Sequence, residues 1–421
     1  MSDKKRLFEN FISLTILQGA NYILPLITFP YLVRILGPEK FGLISFSQAF
    51  IQYFILITDY GFNLTATRQI SINRNDKKKI SQILSSVLTI KLFFMILSLL
   101  LLYVTVSLFD KFKYHSYIYF YTFGIVIGNV LFPVWFFQGL EKMKYITVLN
   151  ISTRLISMLC IFIFIREVSD FKYVPIINSV ASILIGCVSI FIVFSKFKVC
   201  YSIPSLKMIK EQLIEGWYVF ISSIATSLYT ISNTFILGLF TNNVIVGYYA
   251  SGEKLVKAVQ GLIQPVSQTI YPYINNLAQQ SKERALTFIS KIFCGIGIVT
   301  FATSLFLFYF SHILVNLVLG TKYEESIIIV KILSFLPFIV GLSNILGIQT
   351  MLTFNYKKAF STILILSSLF NILSAFILVP TFKHIGTATS VLITETIVSM
   401  SMLLYLNRKG IRFFGGKQKD V

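Results

Sequence analysis

Between Ile83 and Phe109 the chain reads ILSSVLTIKLFFMILSLLLLYVTVSLF, with Lys91 as its one charged side chain. At about 1.5 Å of rise per residue, such a helix reaches across a hydrocarbon core about 30 Å thick. The rest of the chain repeats the pattern. Of its 421 residues, 55% are hydrophobic and 13% charged, with a mean hydropathy of +0.77, whereas soluble domains carry about 25% charged residues. Working outward from 83–109, comparable apolar runs cover 11–36, 40–60, 117–138, 147–165 and 174–194. A second set covers 217–239, 244–272, 287–310, 325–352, 359–380 and 385–406. The sequence predicts an all-α membrane protein of about twelve transmembrane helices.

Basic residues orient these spans, because Lys and Arg concentrate in cytoplasmic connectors. With the N-terminus inside, the inner segments hold most of them: Lys4 to Arg6, Arg74 to Lys79, Lys196 to Lys210 and Arg408 to Lys419, among others. The outer segments hold Arg34, Lys40, Lys111, Lys113, Arg166, Lys172, Lys322 and Lys383. Both termini are therefore expected in the cytoplasm. The longest connector, about 195–216, sits at mid-chain. It divides a six-span lobe (1–200) from a second lobe with its tail (217–421), with 201–216 as a cytoplasmic linker. Within it, Ile203 to Leu213 has the makings of an amphipathic helix, with Lys207 and Lys210 near anionic headgroups.

The net charge of +20 belongs to these connectors and not to a nucleic-acid surface, since no basic stripe with stacking aromatics lies outside the apolar runs. Lys4, Lys5 and Arg6 precede a run too long for a cleavable signal peptide, so the first helix is expected to stay. Cys160, Cys187, Cys200 and Cys294 have no metal-ligand spacing. No phosphate-cradling glycine loop points to ATP chemistry. No cofactor or metal is expected.

Polar groups inside a bilayer are costly and mark bundle interiors or wet cavities. The eighth span is the richest, with Glu253, Lys257, Gln260, Gln264 and Gln268 on one helical stripe and Lys254 at its edge. Lys254 lies about 15 Å below Val244, near the midplane. Glu253 and Lys257, at i and i+4, have the spacing of an internal ion pair. The other reading is a water-filled cavity where Lys254 and Lys257 meet an anionic substrate. The first span carries Gln18, Asn21, Tyr22, Pro25 and Thr28; the second carries Ser45, Gln48, Gln52 and Asp59; the seventh carries Ser223, Thr226, Thr230 and Asn233. Lys91 is placed within reach of a polar cavity, with snorkelling as the alternative. Substrate contacts are thus assigned to Lys254, Lys257, Gln260, Gln264, Gln18, Asn21, Gln48, Gln52 and Lys91. Glu253, Asp59 and Glu395 are the carboxylates available for ion coupling. His115, His312 and His384 fall near outer connectors and read as surface residues.

Several motifs then bring a family into view. Pro30-Tyr31-Leu32-Val33-Arg34-Ile35-Leu36-Gly37-Pro38 with Phe41-Gly42 resembles the opening of polysaccharide repeat-unit flippases. So do Asp59-Tyr60-Gly61 with Arg68, Trp135-Phe136-Phe137-Gln138-Gly139-Leu140-Glu141, and Val246-Gly247-Tyr248-Tyr249 leading into Glu253-Lys254. The resemblance implies the fold of the multidrug, oligosaccharidyl-lipid and polysaccharide exporters, with two six-helix bundles around a central cavity. It implies an undecaprenyl-diphosphate-linked oligosaccharide, such as an O-antigen unit, moved to the periplasmic leaflet by alternating access in the cell inner membrane. It also implies coupling to a proton or sodium gradient, and a polysaccharide polymerase and chain-length regulator as partners. The competing readings are a drug exporter of the same fold, which needs carboxylates more than lysines, and an O-antigen polymerase-type enzyme. The latter needs a large outer loop, and no outer connector here exceeds about fifteen residues.

Overall fold

The computed structural model describes the backbone of residues 3–261, 264–411 and 413, and the side chains of most of these. The orientation residues Arg412, Lys417 and Lys419 lie outside them, as do the side chains of Lys4, Lys5, Arg6, Tyr22, Thr226, Thr230, Gln264 and Gln268.

The described chain is helical, without strands. The first half contains α1 (Asp3–Asp59), α2 (Phe62–Ile72), α3 (Lys77–Leu108), α4 (Asp110–Lys113), α5 (Ser116–Leu131), α6 (Val134–Gly139), α7 (Met143–Phe164) and α8 (Tyr173–Ser195). The second contains α9 (Leu206–Phe240), α10 (Asn243–Gly261), α11 (Gln264–Gln280), α12 (Lys282–Tyr309), α13 (Ser311–Val318), α14 (Ser326–Leu333) and α15 (Leu336–Asn344). A π-helical turn (Ile345–Leu352) and α16 (Lys357–Arg408) complete it. Among the described residues, eight stretches are long and apolar enough to cross a membrane. Two of them hold two crossings each. The 52-residue α16 would be about 78 Å long if straight, far beyond one bilayer. It breaks at Lys383, where φ is 51°, and α1 breaks at Gly37, where φ is 67°. With α9 and the polar α10–α11 pair, the count is the expected twelve.

The side chains point as a lipid solvent requires. On α3, Phe93, Ile96, Leu100 and Tyr103 are all exposed, three of them by more than 60%, while Ser85, Ser86 and Ser98 are buried. Lipid takes the large apolar groups outward and leaves small ones for helix contacts. The same economy packs α5 on α8. A Cβ on Gly124 or Gly128 would come within 2.5 Å of Ser179 or Ser182, and one on Gly186 within 2.9 Å of the Gly128 carbonyl. Ser189 Oγ donates to the Leu131 carbonyl across the same seam, at 3.0 Å.

Contacts group the chain into two compact units: residues 1–36 with 43–227, and 37–42 with 228–421. The second of these divisions falls within α9. Residues 206–216, read as linker, are the first turns of α9 and continue without interruption into the seventh span. The short segment 37–42 groups with the second unit because it packs on α10, as described below. Other single runs are broken. The fourth span ends at Leu131 and resumes as α6 after Pro133, which has no N–H to donate. Of the eighth, the described residues are α10 to Gly261 and α11 from Gln264. The tenth is α14, α15 and a π-helical turn. His384 is buried, 3.7 Å from Glu325, and so is not the surface residue expected.

Candidate functional site

Each unit contains a cluster of ionisable side chains centred on motif residues, Asp59 in the first and Glu253 with Lys254 in the second. In the first unit, α1 ends at Asp59 because the next two residues turn the chain: Tyr60 has φ 42° and Gly61 φ 79°. Both lie in the left-handed region that favours glycine. The turn seats against α9. Tyr60 stacks on Phe220 with centroids 4.6 Å apart, and a Cβ on Gly61 would meet Val219 at 2.8 Å. Into the space beside Asp59 comes Lys91 of α3. Its Nζ donates to Asp59 Oδ1 at 2.8 Å and to Asn129 Oδ1 of α5 at 3.3 Å. Lys91 is 2% exposed and Asp59 22%. A buried ammonium is tolerable only with such partners, since desolvation costs several kcal/mol per ion, of order. Lys91 thus neither snorkels nor presents an unmatched charge to a cavity.

Below this turn, α2 and α6 are clamped by the Trp135–Glu141 motif. Arg74 Nε donates to the Gly139 carbonyl at 3.0 Å, and its guanidinium pairs with Glu141. Thr67 Oγ1 donates to the Trp135 carbonyl at 3.2 Å. Gly139 permits the approach, because a Cβ there would meet Ile70 at 2.7 Å.

The second unit holds the eighth-span charges. Residues 37–42 run against the start of α10 with almost no separation. A Cβ on Gly42 would lie 1.8 Å from the Asn243 carbonyl oxygen, and one on Gly247 1.9 Å from that of Pro38. Two of the quoted motifs therefore meet backbone to backbone, and both need glycine. The contact brings the ring of Phe41 under Lys254, whose Nζ is 4.8 Å from the centroid, a cation–π distance. One turn along α10, Lys257 Nζ is 2.9 Å from Glu253 Oε1, and Tyr249 Oη donates to the same oxygen at 3.0 Å. Glu253 is 13% exposed and Lys257 52%; Lys254 is also exposed. The ion pair offered as one reading of the stripe is the arrangement found. The charge of Lys257 is thus matched by Glu253. The trio Glu253, Lys254 and Lys257 keeps a net positive charge. Behind it, α10 packs on α14 through Ser251 and Ser326, 3.1 Å apart.

The remaining candidates are placed singly. Gln18 and Asn21 are half-buried on α1 before Gly37, Gln48 is half-buried and Gln52 exposed. Asn21 Oδ1 is buried without a hydrogen-bond partner. Gln260 is half-buried near the end of α10, and Glu395 half-buried in α16. Two polar features escaped the sequence reading. Asn129 completes the Lys91 cluster. Gln349, 1% exposed in the π-helical turn, donates to the carbonyl and hydroxyl of Ser267, whose Oγ donates to Asn344 at 2.5 Å. An amide within an apolar run was the available signal at both positions.

Comparison with known proteins adds three findings. Residues 7–278 match the family model described as polysaccharide biosynthesis protein. A protein of Escherichia coli (strain K12) named "Putative O-antigen transporter" is 38% identical over 405 residues, 96% of this chain and 98% of that protein. One of the same name from Shigella dysenteriae is 30% identical over 94% of this chain and 98% of its own length. Among solved structures, the lipid II flippase MurJ in an inward closed conformation aligns with a TM-score of 0.74 at 13% identity, covering 95% of this chain and 87% of MurJ. An inward-facing multidrug resistance transporter of the MATE family aligns at 0.67, also at 13% identity, covering 95% and 98%. At that identity the structural likenesses speak for the fold alone.

Proposed function

The chain belongs to the polysaccharide biosynthesis protein family, and from that membership we propose that it is a flippase for undecaprenyl-diphosphate-linked oligosaccharide repeat units. It moves an O-antigen unit, or the unit of a similar surface polysaccharide, from the cytoplasmic to the periplasmic leaflet of the inner membrane. The observation that carries the reading is the near-full-length relationship to proteins named as O-antigen transporters. It is a transporter, not an enzyme.

The chemistry of the second unit supports this cargo. A lipid diphosphate is anionic, and the Glu253–Lys254–Lys257 trio carries a net positive charge within a polar helix. A cationic drug would want the opposite balance, which disfavours the exporter reading. Alternating access of two helical units carries the sugar head across while the polyprenyl tail stays in lipid. The driving force is a proton or sodium gradient acting at Glu253, Asp59 or Glu395. Basic inner segments put both termini in the cytoplasm, where newly made lipid-linked units are delivered. A polymerase and a chain-length regulator receive the product on the other side.

Deleting the gene tests the proposal. Surface polysaccharide is expected to disappear and lipid-linked repeat units to accumulate in the inner leaflet, both reversed by the wild-type gene. Unchanged surface polysaccharide in the deletion strain would refute it.

A further inference from the structure

The first unit has a cavity of about 540 Å³ between α2, the start of α3 and the first turns of α9. It is separate from the Lys91 cluster and includes the amphipathic segment that the sequence assigned to the inner surface. Its volume falls within the roughly 300–1,000 Å³ of small-molecule sites. Two lysines, Lys79 and Lys207, and two carboxylates, Glu211 and Glu215, line it. These charges balance, so the cavity is not an anion trap. Between them lie the amides of Gln69, Asn73, Gln82 and Gln212, with Ile83 and Met208 as apolar facets. Amides and carboxylates beside small apolar patches suit the alternating hydroxyls and C–H faces of a sugar.

One atom makes the cavity more than a polar dent. Gln69 Nε2 donates to Glu215, and Gln212 Nε2 donates to Gln69 Oε1 at 2.7 Å. That relay orients the Gln212 amide and engages one of its two N–H groups with Gln69. Gln212 is 8% exposed, and its Oε1 is buried with no hydrogen-bond partner. Buried acceptors are seldom left so, and this one calls for an O–H or N–H from a ligand. We propose that the cavity is a glycan subsite, taking an uncharged sugar of the cargo at the inner face while the lipid diphosphate lies elsewhere. This rests on the flippase reading and adds where the glycan is held and that its recognition is by neutral hydrogen bonding.

The test uses the full chain in lipid nanodiscs and saturation-transfer NMR, with N-acetylglucosamine and glucose as probes. Glycerol 3-phosphate stands in for a phospholipid headgroup. Saturation transfer to the neutral sugars is expected, with none to glycerol 3-phosphate. Gln212→Leu removes the acceptor, and Met208→Trp fills the cavity from one turn earlier on the same face of α9. Each is expected to weaken sugar binding about tenfold, roughly the worth of one hydrogen bond in a buried site. Equal binding by wild type and both variants overturns the subsite, as does preference for glycerol 3-phosphate. If the wild-type chain restores surface polysaccharide in the deletion strain yet binds neither sugar, the subsite is wrong and the flippase reading stands. Failure to restore polysaccharide refutes that reading itself.

Discussion

The two units each pair a lysine with a carboxylate, and the pairs could hardly be placed more differently. Lys91 is sealed, 2% exposed, with Asp59 and Asn129 as its acceptors. Lys257 is 52% exposed and shares Glu253 with Tyr249, while Lys254 stands one residue away over a ring. A sealed pair fixes the end of α1 against α3 and α5. The exposed pair lies beside a second cation on the same helix. The sequence shows the same residue types in both places, and the difference in burial appears only in the fold.

Breaking the sealed pair gives the largest expected effect. Asp59→Asn leaves Lys91 as a buried cation without a matching charge, and about 3–5 kcal/mol of stability should be lost. The thermal unfolding temperature of the detergent-purified protein reads this out. Adding Lys91→Met to Asp59→Asn should recover most of it. Lys257→Gln, in contrast, should cost about 1 kcal/mol. Comparable losses from the two clusters would erase the distinction.

Next comes the crossing that positions the exposed cluster. Gly247→Val puts a Cβ where the Pro38 carbonyl oxygen is 1.9 Å away. Backbone cannot swing aside as a side chain does, so about 1–3 kcal/mol of overpacking is expected. Gly295→Ala, inside α12 with nothing within 4 Å of the new atom, should hold or slightly raise the unfolding temperature and serves as the control. Lesser still is Arg74→Met in the α2–α6 clamp. Its half-exposed ion pair and carbonyl contact should contribute about 1 kcal/mol.

The smallest effect falls outside the membrane. Asp110, fully exposed, accepts from Lys113 at 2.7 Å, and that hydrogen bond and charge hold its carboxyl below the ordinary range. A depressed folded-state value means the contribution is present above the usual carboxylate pKa and fades as pH falls through the lowered one. Asp110→Asn should therefore lower the unfolding temperature slightly at neutral pH and not at all in strong acid. A difference that grows as the pH falls would reverse the sign.

The span count was legible because lipid demands long apolar runs, and those runs survive any detail of packing. The charged stripe on α10 was legible for the same reason in reverse: Glu253, Lys254 and Lys257 stand out in an apolar background. Its internal pairing was one of two readings that spacing alone left open. Less visible was that Phe41 would lie under Lys254, since 37–42 and 243–247 are far apart in sequence and only the space at Gly42 and Gly247 joins them. The partner of Lys91 was hidden likewise, because Asp59 and Asn129 arrive from other helices. The extent of α9 was missed through composition: Lys207, Lys210 and Glu211 look like connector, but nothing between Leu206 and Gly216 breaks a helix.

The most direct measurement follows a fluorescent undecaprenyl-diphosphate oligosaccharide across proteoliposomes holding the purified chain, under a proton or sodium gradient. Wild-type protein should speed leaflet exchange well above protein-free vesicles. Lys254→Arg should retain that rate, and Lys254→Gln should abolish it while leaving the unfolding temperature near wild type. Exchange by Lys254→Gln at the wild-type rate would contradict a cationic recognition of the diphosphate by the second unit.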